Sequence, residues 1–580
     1  MTNRFVACRF AGVSLLFLTL LSPGYLPADV RLPAIFGDHM VLQQDGKIPV
    51  WGWADAGEAV TVTLADHTAK TTADAKGKWR VDLDPVKSTA TPLTLTITGK
   101  NALNFKDVLV GDVWICSGQS NMEFDLGGDW KGKHTFGGAA NAATAAPAAD
   151  DSQLRLFVVQ KKIALEPEPD VVGKWEVCTP DSAALFSAVG YFFGQELRHS
   201  LNRPIGLIGT YWGGQPAQAF TSLSGLQKDP PFANYVGAYQ KDMANYPKAK
   251  ADYPAALAAY KDKLKEWNET VAPTYDPILK QWQDAVAQAK TSGQPAPRKP
   301  VPSSPIPKAP PLPEGGPSTP TVLYNGMIAP LIPYAIKGAI WYQGESNAGN
   351  GPEYATLFPR MISDWREKWK QGDFPFLYVE LASFMAPQTQ PSEGGWAYLR
   401  EAQLKTLSLP NTGMASAVDI GNAKDIHPKD KLDVGLRLAL AAKHLAYGQD
   451  LVYSGPIYDS MTVEGNKIRL TFKQTGSGLQ MSTPPWTPTG IPAPAPTKLT
   501  GFAIAGADKN WVWAQAQIDG NSVVVSSDQV ASPVAVRYGW ANNPPCNLYN
   551  KEGLPASPFR TDNWTDPAPT PASSTPMPKP

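Results

Sequence analysis

The chain has 580 residues, 43% hydrophobic and 18% charged, a composition that suits a folded globular protein with two to four separate cores. Its 52 lysines and arginines balance 52 aspartates and glutamates, so no overall basic field draws in nucleic acid or an anionic membrane, and neither is expected as a partner. The four cysteines include no CxxC pair and no closely spaced Cys/His set, so no metal is expected.

Residues 1–28 carry Arg4 and Arg9, an apolar stretch over 11–21, and then Ser22, Pro23, Gly24 and the small residue Ala28. That stretch is too short to cross a bilayer and has the order of a cleavable export signal, which predicts cleavage near Ala28 and a secreted or periplasmic protein. No later segment holds about 18 unbroken apolar residues, so stable membrane insertion is not expected. Loss of Cys8 with the signal leaves Cys116, Cys178 and Cys546. An odd number allows either one bridge plus one thiol or three buried thiols.

Over 29–105 the sequence alternates with period two in Ile48–Trp53, Ala59–Leu64, 79–83 and 93–97, predicting an antiparallel β module that either holds glycan or braces its neighbour. The run 108–115 is almost wholly apolar, as in a strand buried on both faces of a parallel sheet. Phe186, Val189, Phe192, Phe193 and Leu197 then recur at helical spacing before another apolar strand at 205–209. Strand, helix, strand predicts an α/β domain whose first part spans 106–224. Residues 225–320 read as an insertion, helical around 253–269 and 277–290 and proline-rich over 294–320, serving as a spacer or lid. Strands at 335–342 and 376–381, with a helix around 354–371 between them, resume the α/β domain over 321–450. Leu432, Leu436, Leu440 and Leu445 mark its last helix, stopping at Gly448. A second β region covers 451–565, with strands at 467–472, 511–514 and 522–525, and the Pro/Thr/Ser/Ala tail 566–580 is too poor in large apolar residues to fold.

Serine catalysis needs an exposed hydroxyl, a base, a group that orients the base, and donors for the oxyanion. Ser120 in the run CSGQSNM directly follows the 108–115 strand, at the carboxyl end where α/β sheets place their sites. Taken alone, such a turn is as readily structural as catalytic. Among six histidines, His39 and His67 fall in the β module and His199 and His444 on helices. His134 lies in a Gly/Ala-rich loop, and His427 lies on a loop between a strand at 415–420 and the last helix. His427 is the best-placed base. Asp425, two residues before it, is the candidate acid, with Asp419 and Glu345 as alternatives; helix capping is the bland role for Asp425. Glycine-bearing turns at 211–216 and 341–347 offer Gly213, Gln343 and Asn347 as oxyanion donors beside the Ser120 N–H. Either turn is equally readable as chain reversal alone.

Four blocks in order, CSGQSNM, YWGGQPAQAF, WYQGESNAG and DIHPKDK, resemble those of the sialate O-acetylesterase family within the SGNH/GDSL hydrolases. The likeness extends to FGDHMVLQ near the start and to 536–564. It implies a flavodoxin-like three-layer α/β SGNH domain, here with the helical insertion and flanking β-sandwich-like modules. It also implies Ser120 as nucleophile, His427 as base, and Gly213 with the 343–347 turn at the oxyanion positions. Two departures stand out: Lys424 occupies the place of the usual aspartate three residues before the histidine, and Ser346 that of the usual asparagine in Gly-x-Asn-Asp. The expected activity is a serine esterase, needing no cofactor, that removes acetyl groups from carbohydrate, foremost sialic acids, with acetylxylan or another polysaccharide as the alternative. The contrary expectation, from 18 tryptophans and 20 tyrosines, is a noncatalytic glycan-binding surface protein.

Overall fold

The computed structural model describes residues 29–132, 136–488, 490 and 492–564; the segment expected to be an export signal, His134 and the tail from 565 lie outside them. The alternating segments of the first region form β1 (Val41–Gln43), β2 (Ile48–Trp53), β3 (Ala59–Leu64), β4 (His67–Thr72), β5 (Lys78–Leu83) and β6 (Thr89–Thr98). In β5 every second residue is buried, which is the period a strand with one wet face requires. Strand β7 (Ala102–Gly118) is 17 residues long and changes character along its length. Its first six residues alternate in exposure while pairing antiparallel with β6, and its last 11 are all buried. One strand therefore closes the amino-terminal β region and opens the central sheet.

The sheet continues through β8 (Asp151–Val158), β9 (Trp175–Cys178), β10 (Ile205–Gly209), β11 (Gly338–Tyr342), β12 (Phe376–Glu380) and β13 (Thr412–Ser416), in the order β13-β12-β11-β7-β10-β8-β9. All neighbours are parallel except the edge pair β8/β9. Register shows that helices cover both faces. Trp114 of β7 packs edge-on against Phe193 of the helix Ala188–Leu201. Trp341 of β11, aligned with Ser117 and so on the opposite face, stacks on Phe358 and meets Trp365 of the helix Gly351–Trp369. Both indoles are fully buried, which is why these strands read as continuous apolar runs. The last helix, Lys431–Leu445, crosses Ala188–Leu201 closely at Gly435, where a Cβ would lie 2.7 Å from that of Phe192.

Some boundaries move relative to the sequence reading. The strand expected at 415–420 lies at 412–416, because Ile420 N–H turns back to Ala417 O. The last helix ends at Leu445, with Gly448 in a left-handed conformation donating to His444 O. The 225–320 segment contains two long helices, Ala233–Thr270 and Ala272–Ser292. The proline-rich run then returns along them: Trp282 Nε1 donates to Pro297 O, Tyr275 Oη to Pro300 O, and Trp267 Nε1 to Ser304 O. The run forms no helix or strand of its own, so side chains of the helices donate to these carbonyls.

The carboxyl-terminal region holds β14 (Ile457–Glu464), β15 (Lys467–Lys473), β16 (Leu479–Met481), β17 (Phe502–Ala505), β18 (Val512–Trp513), β19 (Gln515–Asp519), β20 (Ser522–Ser526), β21 (Ala535–Tyr538), β22 (Leu548–Asn550) and β23 (Phe559–Arg560). They make two four-stranded antiparallel sheets, β14-β15-β20-β19 and β18-β17-β21-β23, and the pair β16/β22. Residues of both larger sheets share one core. Cys116, Cys178 and Cys546 are all free thiols, and burial pushes the thiols of Cys178 and Cys546 up to about 12. No described helix is long and apolar enough to cross a membrane.

Gly118 closes β7 with φ +132, and a Cβ there would sit 2.2 Å from Tyr342 O. Gly118→Ala is expected to cost about 2 kcal/mol or more of unfolding free energy, from backbone strain plus that clash, read from urea denaturation midpoints.

Candidate active site

Ser120 follows β7 directly and opens a single helical turn, Ser120–Glu123. The first N–H groups of a helical turn have no acceptor within it, so the turn itself leaves those of Ser120 and Asn121 without one. Gln119 N–H donates to Tyr342 O, tying this turn to the end of the neighbouring strand. On the loop after β13, His427 places Nε2 2.9 Å from Ser120 Oγ. The hydroxyl donates to Nε2 when the imidazole proton is on Nδ1, and Asp425 Oδ1, 3.5 Å from Nδ1, favours that tautomer. Asp425 Oδ1 also accepts the His427 backbone N–H at 2.9 Å. Phe136 meets the imidazole edge-on at 4.9 Å and Phe124 lies tilted 6.3 Å away.

Behind this pair lies a buried polar network. Asn121 donates Nδ2 to Glu345 Oε1 at 2.5 Å and to Ile426 O at 3.1 Å, and its Oδ1 accepts from Lys431 Nζ at 2.5 Å. Lys431, Glu345 and Asn121 are all buried. The ammonium sits over the rings of Phe124 and Tyr342, at 4.6 and 5.3 Å. Burial pushes the Lys431 amine down to about 7 against the pull of Glu345, Asp430 and Asp425. Burial also raises the Glu345 carboxyl, whose Oε2 has no hydrogen-bond partner. His427 is lowered to about 4, first by burial and then by the Lys431 charge, with Asp425 opposing.

The other candidates fall in different places. Asp419 gives its carboxylate to Arg437 at 2.7 and 2.8 Å and accepts from Tyr549 Oη at 3.0 Å, so it braces the last helix and the carboxyl-terminal region. Glu345 reaches the site only through Asn121. Gly213 stands over Ser120: a Cβ on it would lie 3.3 Å from that of Ser120. Its N–H donates to Glu123 Oε2 at 2.6 Å, and Glu123 is in turn paired with Lys161. Gln343 and Asn347 are not brought to Ser120. Gln343 Nε2 donates to Asn347 Oδ1 and Gln215 O, and Asn347 bonds Ala217 N–H and Gln218 Oε1. Packing has turned both amides inward to hold the 215–218 turn, which corrects their expected role as oxyanion donors. A space of about 290 Å³ is bounded by Glu123, Asp125, Phe136, Gln160, Lys161 and Tyr211. Among the described residues no group of three His, Cys, Asp or Glu is arranged to hold a metal ion.

The family profile described as carbohydrate esterase, sialic acid-specific acetylesterase, matches residues 318–445. Sialate O-acetylesterases of Rattus norvegicus and Homo sapiens are each 28% identical, covering 96% and 94% of this chain and 98% and 96% of theirs. The crystal structure of a carbohydrate acetylesterase from Xanthomonas citri is 37% identical, covers 92% of this chain and 100% of its own, and superposes with a TM-score of 0.71. The chain belongs to the sialate O-acetylesterase family of carbohydrate esterases. It is an ester hydrolase, and the expectation of a noncatalytic surface protein falls away.

Three polar side chains of this esterase's site had no role in the sequence reading: Asn121, Glu123 and Lys431. Each stands within four residues of Ser120 or His427, Asn121 and Lys431 inside the quoted blocks and Glu123 immediately after CSGQSNM. A lysine opening a helix nevertheless reads as surface charge, and only its packing against Asn121, Phe124 and Tyr342 reveals that it is buried. The lowered His427 keeps the imidazole neutral down to about pH 4, so hydrolysis of a chromogenic acetyl ester should lose rate only as pH falls through that value. Lys431→Met removes the cation but not the burial, and the acid limb of the pH–rate profile should move up toward the ordinary 6.5. An unmoved limb would mean that the Lys431 charge does not act on the titrating group.

Proposed function

We propose that this esterase removes O-acetyl groups from carbohydrate by a serine acyl-enzyme route. The observation that carries the reading is the 2.9 Å approach of His427 Nε2 to Ser120 Oγ at the carboxyl end of the central sheet. His427 takes the hydroxyl proton as Oγ attacks the acetyl carbonyl. The tetrahedral intermediate collapses when imidazolium returns that proton to the departing sugar oxygen. Water, deprotonated by the same nitrogen, then attacks the acetyl-enzyme, and acetate leaves with Ser120 restored. Asp425 orients the ring. The N–H groups of Ser120 and Gly213 are the oxyanion donors in this reading, the carbonyl oxygen displacing the Glu123 carboxylate from Gly213. The parallel order β10-β7-β11-β12-β13, with helices on both faces, supports the SGNH-type domain that the sequence blocks imply. The export signal at 1–28 supports action outside the cytoplasm.

The family points first to O-acetylated sialic acids, which are anionic. The second reading is a neutral O-acetylated polysaccharide such as acetylxylan, supported by the Xanthomonas citri relative at 37% identity, which is described as a carbohydrate acetylesterase.

Ser120→Ala and His427→Ala should each lower turnover of a chromogenic acetyl ester about a thousandfold or more. Asp425→Asn should cost about ten- to a hundredfold, since its carboxylate is 46% exposed and 3.5 Å from the ring. Full activity in Ser120→Ala would overturn the route. Initial rates of acetate release from O-acetylated sialic acids and from acetylxylan, at equal ester concentration, decide between the two substrates.

A further inference from the structure

The outer face of the β18-β17-β21-β23 sheet carries a cross-strand row, Trp513, Ala503, Arg537 and Arg560, one residue from each strand in register. Ala503 and the preceding Gly501 are too small to fill the layer above them. A cavity of about 160 Å³ results, walled by Trp511, Trp513 and Trp540 and closed by the 391–393 segment with Glu393 at its edge. At roughly 30 Å³ for each water displaced, this is the space of about five waters, suited to one sugar ring rather than a length of polymer.

The walls are held rigidly. Trp513 Nε1 donates to Thr389 O at 2.9 Å, and Trp540 Nε1 donates to Glu393 Oε2 at 2.8 Å. The Arg537 guanidinium lies 4.4 Å from the Trp511 ring centre and 5.1 Å from that of Trp540. Among the described residues Arg537 is the one cation lining the cavity, and its N–H groups go to Asp562 and Glu393. An acidic sugar would meet no unpaired cation there. The Glu393 side chain is 44% exposed, so its oxygens can accept from ligand hydroxyls. Fixed indoles for an apolar ring face with a few oriented acceptors at the edge form a site for a neutral pyranose.

Position ties this cavity to the catalytic end. Ser120 follows β7, His427 follows β13, and the 381–394 loop that closes the cavity follows β12, all at the carboxyl ends of parallel strands. Phe384 of that loop bridges to Asn422, which bridges to Asp425. A larger cleft of about 470 Å³ beside Trp51, Trp53 and Trp79 instead borders residues 329–333, ahead of β11, at the amino end of the sheet. A chain held in that cleft would lie at the wrong end.

We propose that the Trp511/Trp513/Trp540 cavity is a glycan subsite, binding one neutral pyranose ring of an oligosaccharide or polysaccharide whose acetyl ester is presented at Ser120. The binding itself stands on the cavity; the link to turnover rests on the proposed esterase reaction. Deacetylated xylohexaose, cellohexaose and mannohexaose carry no ester, so calorimetric and tryptophan-fluorescence titration of the wild-type chain reads binding without turnover. Saturable binding of at least one of them is expected, weakened about tenfold by Trp513→Ala, which removes a wall, and by Ala503→Leu, which fills the floor. With acetylxylan the same variants should raise KM about tenfold at unchanged kcat, while kcat/KM for 4-nitrophenyl acetate stays at the wild-type value. Absence of saturable binding by all three hexaoses, or equal binding by wild type and both variants, overturns the subsite. A fall in both reactions together assigns these residues to folding and overturns it as well. Loss of the esterase reading would appear separately, as wild-type chain inert toward 4-nitrophenyl acetate with hexaose binding intact.

Discussion

Strand β7 is held in two environments at once, and most of the molecule is arranged around that constraint. Its first half pairs with β6 and alternates in exposure, and its second half lies between β10 and β11 with both faces covered. The strand cannot shift register without exposing a buried indole, Trp114, or breaking the bond between Gln119 N–H and Tyr342 O. Its end is therefore fixed relative to β11, and with it the Ser120 turn. The amino-terminal β region contributes to the site by anchoring the strand that delivers Ser120.

Asn121 does for the loops what β7 does for the sheet. One residue from Ser120, it bonds Glu345 after β11, Ile426 beside His427, and Lys431 at the start of the last helix. Leaving any one of these buried groups unpaired costs about 1–3 kcal/mol, so the network holds the Ser120 turn, the β11 turn and the His427 loop in a common frame. The same burial sets the electrostatics. A cation beside the imidazole and an apolar wall of Phe124 and Phe136 both favour neutral His427, the form that can accept a proton.

The regions outside the sheet divide by the end they serve. The proline-rich run is clamped along its two helices by Trp267, Tyr275 and Trp282, forming a braced arm. The carboxyl-terminal sheets instead reach the catalytic end: Tyr549 bonds Asp419, which pairs with Arg437 on the last helix, and Asn542 O accepts from Phe384 N–H in the loop after β12.

The sequence by itself determined the order of elements, the α/β character of the centre and the pairing of Ser120 with His427. Those properties are local: apolar runs mark doubly covered strands, period two marks half-wet ones, and of the two histidines on loops only His427 lies between a strand and the last helix. Element ends were less legible, as at β13, because a turn such as 417–420 depends on which carbonyl is in reach. The supporting groups were decided by tertiary structure alone. Asp419 and Asp425 are equivalent on paper; packing puts an arginine against one and an imidazole near the other. Gln343 and Asn347 have the donors an oxyanion needs, yet the fold turns them toward 215–218. Lys431 is an unremarkable helix-opening lysine until Asn121, Phe124 and Tyr342 close over it. Spacing along the chain names the residues able to do chemistry, whereas desolvation and the direction of a side chain are properties of neighbours brought together from hundreds of residues apart.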